Sequence, residues 1–220
     1  MELPPHLAPL MGLRLRAPGL ELRLPELAEL EALARDAASA GVLDPRDPPF
    51  VGDWTDHLGE PGSAEAFVAY HLDRRRAVRP EEWRLELGVF AGGRLVGIQG
   101  IGARELAGSR CVGTGSWLLR THQGRGLGTR MRAAVLALGF THLDATTAET
   151  RVLDGNGPSQ AVSRKLGYVP AAGGRWETVR GRETWVARYV LTRARWRRHP
   201  GPPLEVDGLE ACLHMLGAPR

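Results

Sequence analysis

The sequence predicts an α+β fold, helices flanking one sheet. Three observations predict it. Apolar and polar residues alternate, as in half-buried strands, at Leu20–Leu24, Trp83–Phe90 and Glu183–Thr192. Segments with apolar residues at helical spacing lie between them, near 27–40, 63–78 and 127–140. Short turns at Gly92-Gly93 and Arg180-Gly181-Arg182 join strand segments as hairpins. With 220 residues, 43% of them hydrophobic and 25% charged, the chain can build one ample core and is not a disordered segment.

In chain order, residues 1–19 hold several prolines and no period, so an irregular leader is expected. Leu20–Leu24 is a strand. Pro25 suits a first helical turn, Leu27, Leu30, Leu33, Ala34 and Ala37 mark the buried face, and Gly41 ends the helix. Asp44 to Thr55 is turn-rich, and its aromatics Phe50 and Trp54 are either loop anchors or the lining of an acceptor pocket. Ser63 can cap a helix that Arg79-Pro80 stops. Arg74-Arg75-Arg76 on it cannot share one face, so part of that charge is solvated. The hairpin around Gly92-Gly93 returns through Arg94–Ile101, Arg104–Arg110 is a loop or strand end, and Val112–Leu119 is a further strand. Ala145–Val152 is a Thr-rich strand, Asp154–Pro158 a turn, and Ser159–Leu166 a short helix closed by Gly167. A strand begins at Tyr168, Ala171–Gly174 reads as a flexible break, and the last hairpin runs to Thr192. Arg193–Arg198 is basic and Pro200–Pro203 breaks structure. Leu204, Val206, Leu209, Leu213 and Leu216 form an apolar tail that needs a surface to cover, on the domain or on a partner subunit.

Composition excludes several classes. There is no long apolar run, signal-peptide pattern or repeat. Cys111 and Cys212 make neither a disulfide framework nor a metal site, which points to a reducing cytoplasm and no metal. Net charge is +4, and Lys165 is the one lysine among 29 basic residues. The arginines are spread along the chain, which argues against nucleic acid and leaves a polyanionic cofactor as the better partner.

The chemistry-bearing stretch is Gly115 to Thr129. Ser116–Leu119 is an apolar strand, Gly124, Gly126 and Gly128 alternate with side chains, and a helical period starts at Leu127. A helix N-terminus carries unpaired N–H groups and the positive dipole end. Glycines there let backbone amides wrap a phosphate. A P-loop needs Gly-Lys-Ser/Thr, which is absent. A dinucleotide fingerprint needs a G-x-G-x-x-G register and a later acid, also absent. Two readings of the stretch remain, a phosphate cradle and a glycine-rich cap that binds nothing.

Gln123, Gly126 and Gly128 form Q-x-x-G-x-G, which resembles the acyl-CoA pyrophosphate loop of the GNAT superfamily of N-acyltransferases. A second segment is similar to that family's other cofactor wall: Asn156, Ser159, Val162, Ser163, Lys165, Leu166, Gly167 and Tyr168. It most resembles the subgroup that includes the ribosomal-protein N-terminal acetyltransferases. The resemblance covers about Leu20 to Thr192. It implies a GNAT fold, a mixed and mostly antiparallel central sheet with a splayed strand pair, over residues 20–192, between a leader at 1–19 and a tail at 193–220. It implies an acyl-CoA cofactor, acetyl-CoA by default, and a homodimer. Cofactor binding would then fall to Gln123, Gly124, Arg125, Gly126, Leu127, Gly128 and Thr129 at the pyrophosphate, with Arg125, Arg130 and Lys165 available to pair with phosphates. The pantetheine arm would fall to main-chain groups of Trp117, Leu118 and Leu119, and to Asn156 and Ser159.

The implied activity is direct attack of an amine on the thioester. The site must accept a proton, polarise the carbonyl and stabilise the leaving thiolate. Some family members use a tyrosine one position after Val162. This chain has Ser163 there, the candidate for thiolate stabilisation. Many relatives carry a glutamate two residues before the glycine matching Gly115. Here that place is Gly113, which leaves Glu149 as the candidate base, ahead of Asp53 and Asp56. The acceptor is a small-molecule amine or a protein N-terminus. A succinyl donor needs an arginine at the acyl end, and Arg104, Arg110 and Arg175 stand near bordering loops. The missing glutamate also motivates a non-catalytic acyl-CoA-binding module, and no membrane partner is implied.

Overall fold

A computed structural model of the chain describes residues 4–43, 50–198 and 200–218. After a 3-10 segment at Pro5–Gly12 come β1 (Arg14–Ala17), β2 (Leu20–Arg23), α1 (Leu27–Ala40), α2 (Ser63–Arg76), β3 (Glu82–Ala91) and β4 (Arg94–Arg104). Next are α3 (Leu106–Ser109), β5 (Cys111–Leu118), α4 (Leu127–Ala137), β6 (Thr147–Leu153) and α5 (Gly157–Lys165). The chain finishes with β7 (Val169–Val179), β8 (Arg182–Thr192), α6 (Arg193–Trp196) and β9 (Glu205–Asp207). The strands form one sheet in the order β7-β8-β6-β5-β4-β3-β2-β1-β9. Every pairing is antiparallel except β5 with β6. The expected mixed, mostly antiparallel α+β sheet is present.

Side chains alternate across this sheet and sort it into two cores. Leu85 and Leu87 of β3, Ile101 of β4 and Val112 of β5 pack with Met131, Ala134 and Val135 of α4. On the opposite face Ile98 of β4 and Trp117 of β5 meet Leu30 and Leu33 of α1 and Phe67 of α2. So α4 covers one face, and α1 with α2 covers the other. Among the described residues no helix is long and apolar enough to cross a membrane.

The parallel pairing is short. Cys111 to Thr114 of β5 pair with Thr147 to Thr150 of β6. Beyond it Gly115–Leu118 pairs only with β4, and Arg151–Leu153 only with β8. The two strands part there, giving the splayed pair that the family resemblance implies.

Several expectations change. The irregular leader is, from Pro5 onward, a 3-10 segment and a strand that pairs with β2 and β9. Gly62, with φ +83°, precedes α2 as its N-cap, so Ser63 is the first helical residue. Arg104–Arg110 holds the single turn α3. Ala171–Gly174 is a bulge inside β7 rather than a break. A Cβ on Gly174 would sit 2.4 Å from the Trp185 ring, so that glycine makes room for an indole. The apolar tail is spent inside its own chain: β9 closes on β1, and Cys212, Met215 and Leu216 are buried beside Leu7 and Leu10. The tail therefore gives no support to a homodimer. The part of the turn-rich loop at 44–49 lies outside the described residues.

Candidate active site

A cleft of about 570 Å³ opens where β5 and β6 part. Its walls are Gly115–Leu118 on one side and Thr150, Arg151, Leu153 and α5 on the other. The N-terminus of α4 closes one end. Gly124 and Gly126 both take φ +74°, a left-handed conformation that disfavours side chains. A Cβ added to either would meet nothing within 4 Å, so the loop borders open space. Gly126 is the N-cap of α4 and no side chain caps that end. The first N–H groups of the helix therefore have no partner within the helix or from a cap. An anion is the ligand such an end receives best.

Of the residues expected to bind cofactor, Trp117, Leu118, Gln123, Gly124, Gly126, Gly128, Thr129, Asn156, Ser159 and Lys165 line this cleft. Three do not. Leu127 is 7% exposed and packs into the α4 core. Leu119 belongs to the α1–α2 core and donates its N–H to the Val96 carbonyl at 2.9 Å. Arg125 is exposed and outside the lining. The role of Gln123 also changes: its amide donates to the Val42 and Leu118 carbonyls, both at 2.8 Å, and so ties the loop to the end of β5. Asn156 caps α5, accepting from the Ser159 N–H at 3.0 Å. Arg130 bonds the Pro18 carbonyl instead of facing the cleft.

The two expected catalytic residues are both otherwise engaged. Ser163 is fully buried, donates its hydroxyl to the Ser159 carbonyl at 2.9 Å and accepts from Arg132 Nη1 at 3.1 Å. It does not line the cleft. Glu149 accepts from Arg188 Nε at 2.6 Å and is likewise outside the lining. Asp53 is on the surface. Asp56 is clamped by Arg180, whose hydrogen bonds hold its carboxyl below the usual range. Arg104 and Arg110 pair with Glu82 and Asp144, and Arg175 with Glu177. None of those three lines the cleft.

Two buried charged groups escape the sequence reading. Arg132 lines the cleft although only 4% of it is exposed. Its Nη2 donates to Ser116 of β5 at 3.3 Å, its Nη1 to Ser163, and its buried Nε has no partner. Burial pushes its pKa down from the ordinary value. The run Ala133-Ala134-Val135-Leu136, buried throughout, is the signal that α4 is enclosed on nearly every side.

The second group is Glu86, 9% exposed and paired with Arg84. Glu86, Gly100 and Gly115 are register partners across β3, β4 and β5, so they share one face. A Cβ on Gly100 would lie 2.9 Å from Glu86 Oε2, and one on Gly115 would lie 3.2 Å from Arg84 Nη2. Arg84 of this pair therefore reaches Gly115, while the Glu86 carboxylate lies over Gly100; neither side chain is part of the cleft lining. An aromatic wall stands on the same face, with Trp54 5.1 Å from Trp117 between ring centres and 5.6 Å from Phe50. Arg180, in the β7–β8 turn, bonds the Phe50 and Gly52 carbonyls at 3.0 and 3.2 Å and Asp56 at 2.8 Å. It pins that loop over the cleft, which Phe50 and Val51 line.

The comparisons with known proteins agree with this geometry. The model of the GNAT acetyltransferase domain matches residues 20–169. RimJ of Mycobacterium smegmatis, solved with CoA disulfide, is 20% identical with a TM-score of 0.68, over 93% of this chain and 95% of that one. A putative ribosomal-protein-serine acetyltransferase from Vibrio cholerae is 22% identical with a TM-score of 0.61, over 81% and 97%. RimL, a ribosomal L7/L12 α-N-protein acetyltransferase solved with coenzyme A, is 16% identical with a TM-score of 0.62, over 79% and 94%.

Proposed function

This chain belongs to the GNAT acetyltransferase family, and on that premise we propose that it moves an acetyl group from acetyl-CoA to an amine by direct attack on the thioester. The observation that carries the reading is the parting of β5 and β6 beside the uncapped N-terminus of α4. N–H groups at the start of α4 would hold the pyrophosphate, and Lys165 on the wall would add charge. The main chain of Gly115–Leu118, unpaired by β6, would meet the amides of the pantetheine arm as an added strand does.

The same proposal gives the acceptor amine to the α1–α2 face. There Glu86 takes the proton of the attacking amine, in place of the glutamate absent at Gly113. Its support is the register that puts Glu86, Gly100 and Gly115 on one face, with the carboxylate over Gly100; its ion pair with Arg84, which reaches Gly115, must open for it to meet the amine. A protein N-terminus is the first acceptor to test, since two of the similar structures are named for acetylation of ribosomal proteins. Acetyl remains the donor of this reading, because Arg104, Arg110 and Arg175 lie outside the cleft. A homodimer is part of the proposal; exposed Trp176 and Trp185 on the β7–β8 edge support it, and light scattering tests it.

The experiment is release of free thiol from acetyl-CoA in the presence of peptide N-termini and of small amines. Glu86→Gln should lower turnover by about 10²–10⁴, the range of general-base contributions, with CoA affinity unchanged. Absence of both thiol release and thermal stabilisation by CoA would overturn the reading. CoA binding without release for any amine would favour the non-catalytic module.

A further inference from the structure

Arg132 is a buried cation with no buried anion to match it. It makes no ion pair among the described residues, and Tyr168 is the one titratable group that acts on it. Both of its donors to Ser116 and Ser163 end on neutral hydroxyls. Nε is buried without a partner. An enclosed guanidinium of this kind is strongly unfavourable unless an anion completes it. Arg132 lines the cleft, so an anion in the cleft can do so.

In the acetyl-transfer reading the pyrophosphate has its own donors at the start of α4. Gly126 caps α4, and the N–H groups left without partners belong to the turn that follows it. Arg132 stands beyond that turn, beneath Ser116 and beside the main chain assigned to the pantetheine arm. Ser163 occupies the position where some family members place a tyrosine. Its small side chain leaves that space to the guanidinium and fixes it there.

We propose that Arg132 is the residue that stabilises the leaving thiolate of coenzyme A. This rests on the acetyl-transfer reading above. The amine nitrogen forms its bond to the thioester carbon, the carbon–sulfur bond breaks, and its electron pair stays on sulfur. The amine's proton goes to Glu86. Arg132 keeps its own protons and answers the new negative charge by charge and hydrogen bonding alone. The thiolate later takes a proton from water. Glu86 approaches from the α1–α2 face and Arg132 from the α4 face, so the nucleophile and the leaving group are served from opposite sides of the sheet.

The test needs no turnover. CoA bound to the wild-type protein is titrated, and its thiolate is followed by ultraviolet absorbance. The bound thiol should titrate about one unit or more below free CoA, equivalent to a tenfold or greater preference for the thiolate. The other titratable groups around the cleft are Lys165 and Asp154 on its walls, Arg151 on β6 and Tyr168 beneath; Glu149 is paired with Arg188 on the other face, and Arg130 of α4 is turned to Pro18. Desulfo-CoA therefore serves as the reference, because it reports every pH effect except the one on sulfur. Arg132→Met should return the bound thiol to its free value with desulfo-CoA affinity unchanged, and Arg132→Lys should keep part of the shift.

An unshifted thiol in the wild type overturns the proposal while CoA binding stands, and this holds even where a variant does not fold. Equal loss of CoA and desulfo-CoA affinity in Arg132→Met overturns it in favour of a contact elsewhere on the cofactor. Selective loss of succinyl-CoA over acetyl-CoA binding overturns it in favour of an acyl carboxylate. Failure of both CoA and desulfo-CoA to bind removes the acetyl-transfer reading and this inference together.

Discussion

Gly128 and Gly126 stand two residues apart in the same loop, and replacing each with alanine should move stability in opposite directions. Gly128 is the second residue of α4. A Cβ there would sit 3.6 Å from Val162 Cγ2, an ordinary contact, and its φ is outside the left-handed region. Alanine is better than glycine inside a helix by up to about 1 kcal/mol. In a protein of this size 1 kcal/mol corresponds to about 2–4 °C in Tm. Gly126→Ala instead puts a methyl at φ +74°, at a cost of about 1–2 kcal/mol and a lower Tm. Both glycines line the cleft, but only at Gly126 does the methyl enter open space, where the proposed cradle would receive a phosphate oxygen; at Gly128 it turns to Val162. Loss of one hydrogen bond to a charged group is worth about 1.5–3 kcal/mol, a drop in CoA affinity of about tenfold to a hundredfold. Calorimetric melting of the free protein and titration with CoA measure the two effects separately. Unchanged CoA affinity in the Gly126→Ala variant would refute the anion cradle. A lower Tm in the Gly128→Ala variant would refute the helical register assigned to it.

Arg180→Ala should raise the KM for acyl-CoA and expose residues 50–56 to proteolysis, because it removes the bonds to Phe50, Gly52 and Asp56; unchanged cleavage would show that the loop holds itself in place. His71 is buried with its pKa pushed down to about 3, chiefly by burial and then by Arg75. The unfolded chain therefore binds a proton that the folded one does not. That contribution is complete above about pH 6.5 and is lost as pH falls toward 3, at about 1.4 kcal/mol per unit. His71→Leu should flatten the urea-derived stability between about pH 6.5 and 5.5, above most carboxylate titration, and an unaltered slope there would sink the assignment. Leu216→Ala should destabilise by about 2–5 kcal/mol, since the residue is fully buried in the main core. A surface tail would show almost no change.

Alternation and hairpin turns made the central strands readable, because β3 and β4 are ten and eleven residues long. β1 and β9 were not readable. At four and three residues they are too short to show a period, and their partners lie across the length of the chain. The two glycine- and asparagine-bearing segments located the cleft, since backbone position follows from local sequence. They could not tell what each side chain bonds. Ser163 is claimed by Arg132, 31 residues away, and Glu149 by Arg188, 39 residues away. Arg132 carries no motif and is not singled out by the sequence. Only its setting in an apolar run on a helix enclosed by β5 and α5 makes it a buried cation.

The proposed carboxylate for the acceptor side is on β3, not at position 113 or on β6. An acid on β3 can serve a cleft bordered by β5 only if the strand between offers no side chain. Gly100 meets that condition. A Cβ there would lie 2.5 Å from Arg84 Nη2 and 2.9 Å from Glu86 Oε2, so both heads occupy the space it leaves. These are ends of flexible side chains, and they can swing away without moving the backbone. Gly100→Ala should therefore fold, bind CoA as before, and lower kcat with the acceptor by displacing Glu86 from its place over Gly100. The drop should match that of Glu86→Gln, and combining the two changes should lower kcat no further, because both remove the same carboxylate. Full activity in Gly100→Ala would mean that the proton of the amine leaves by another route.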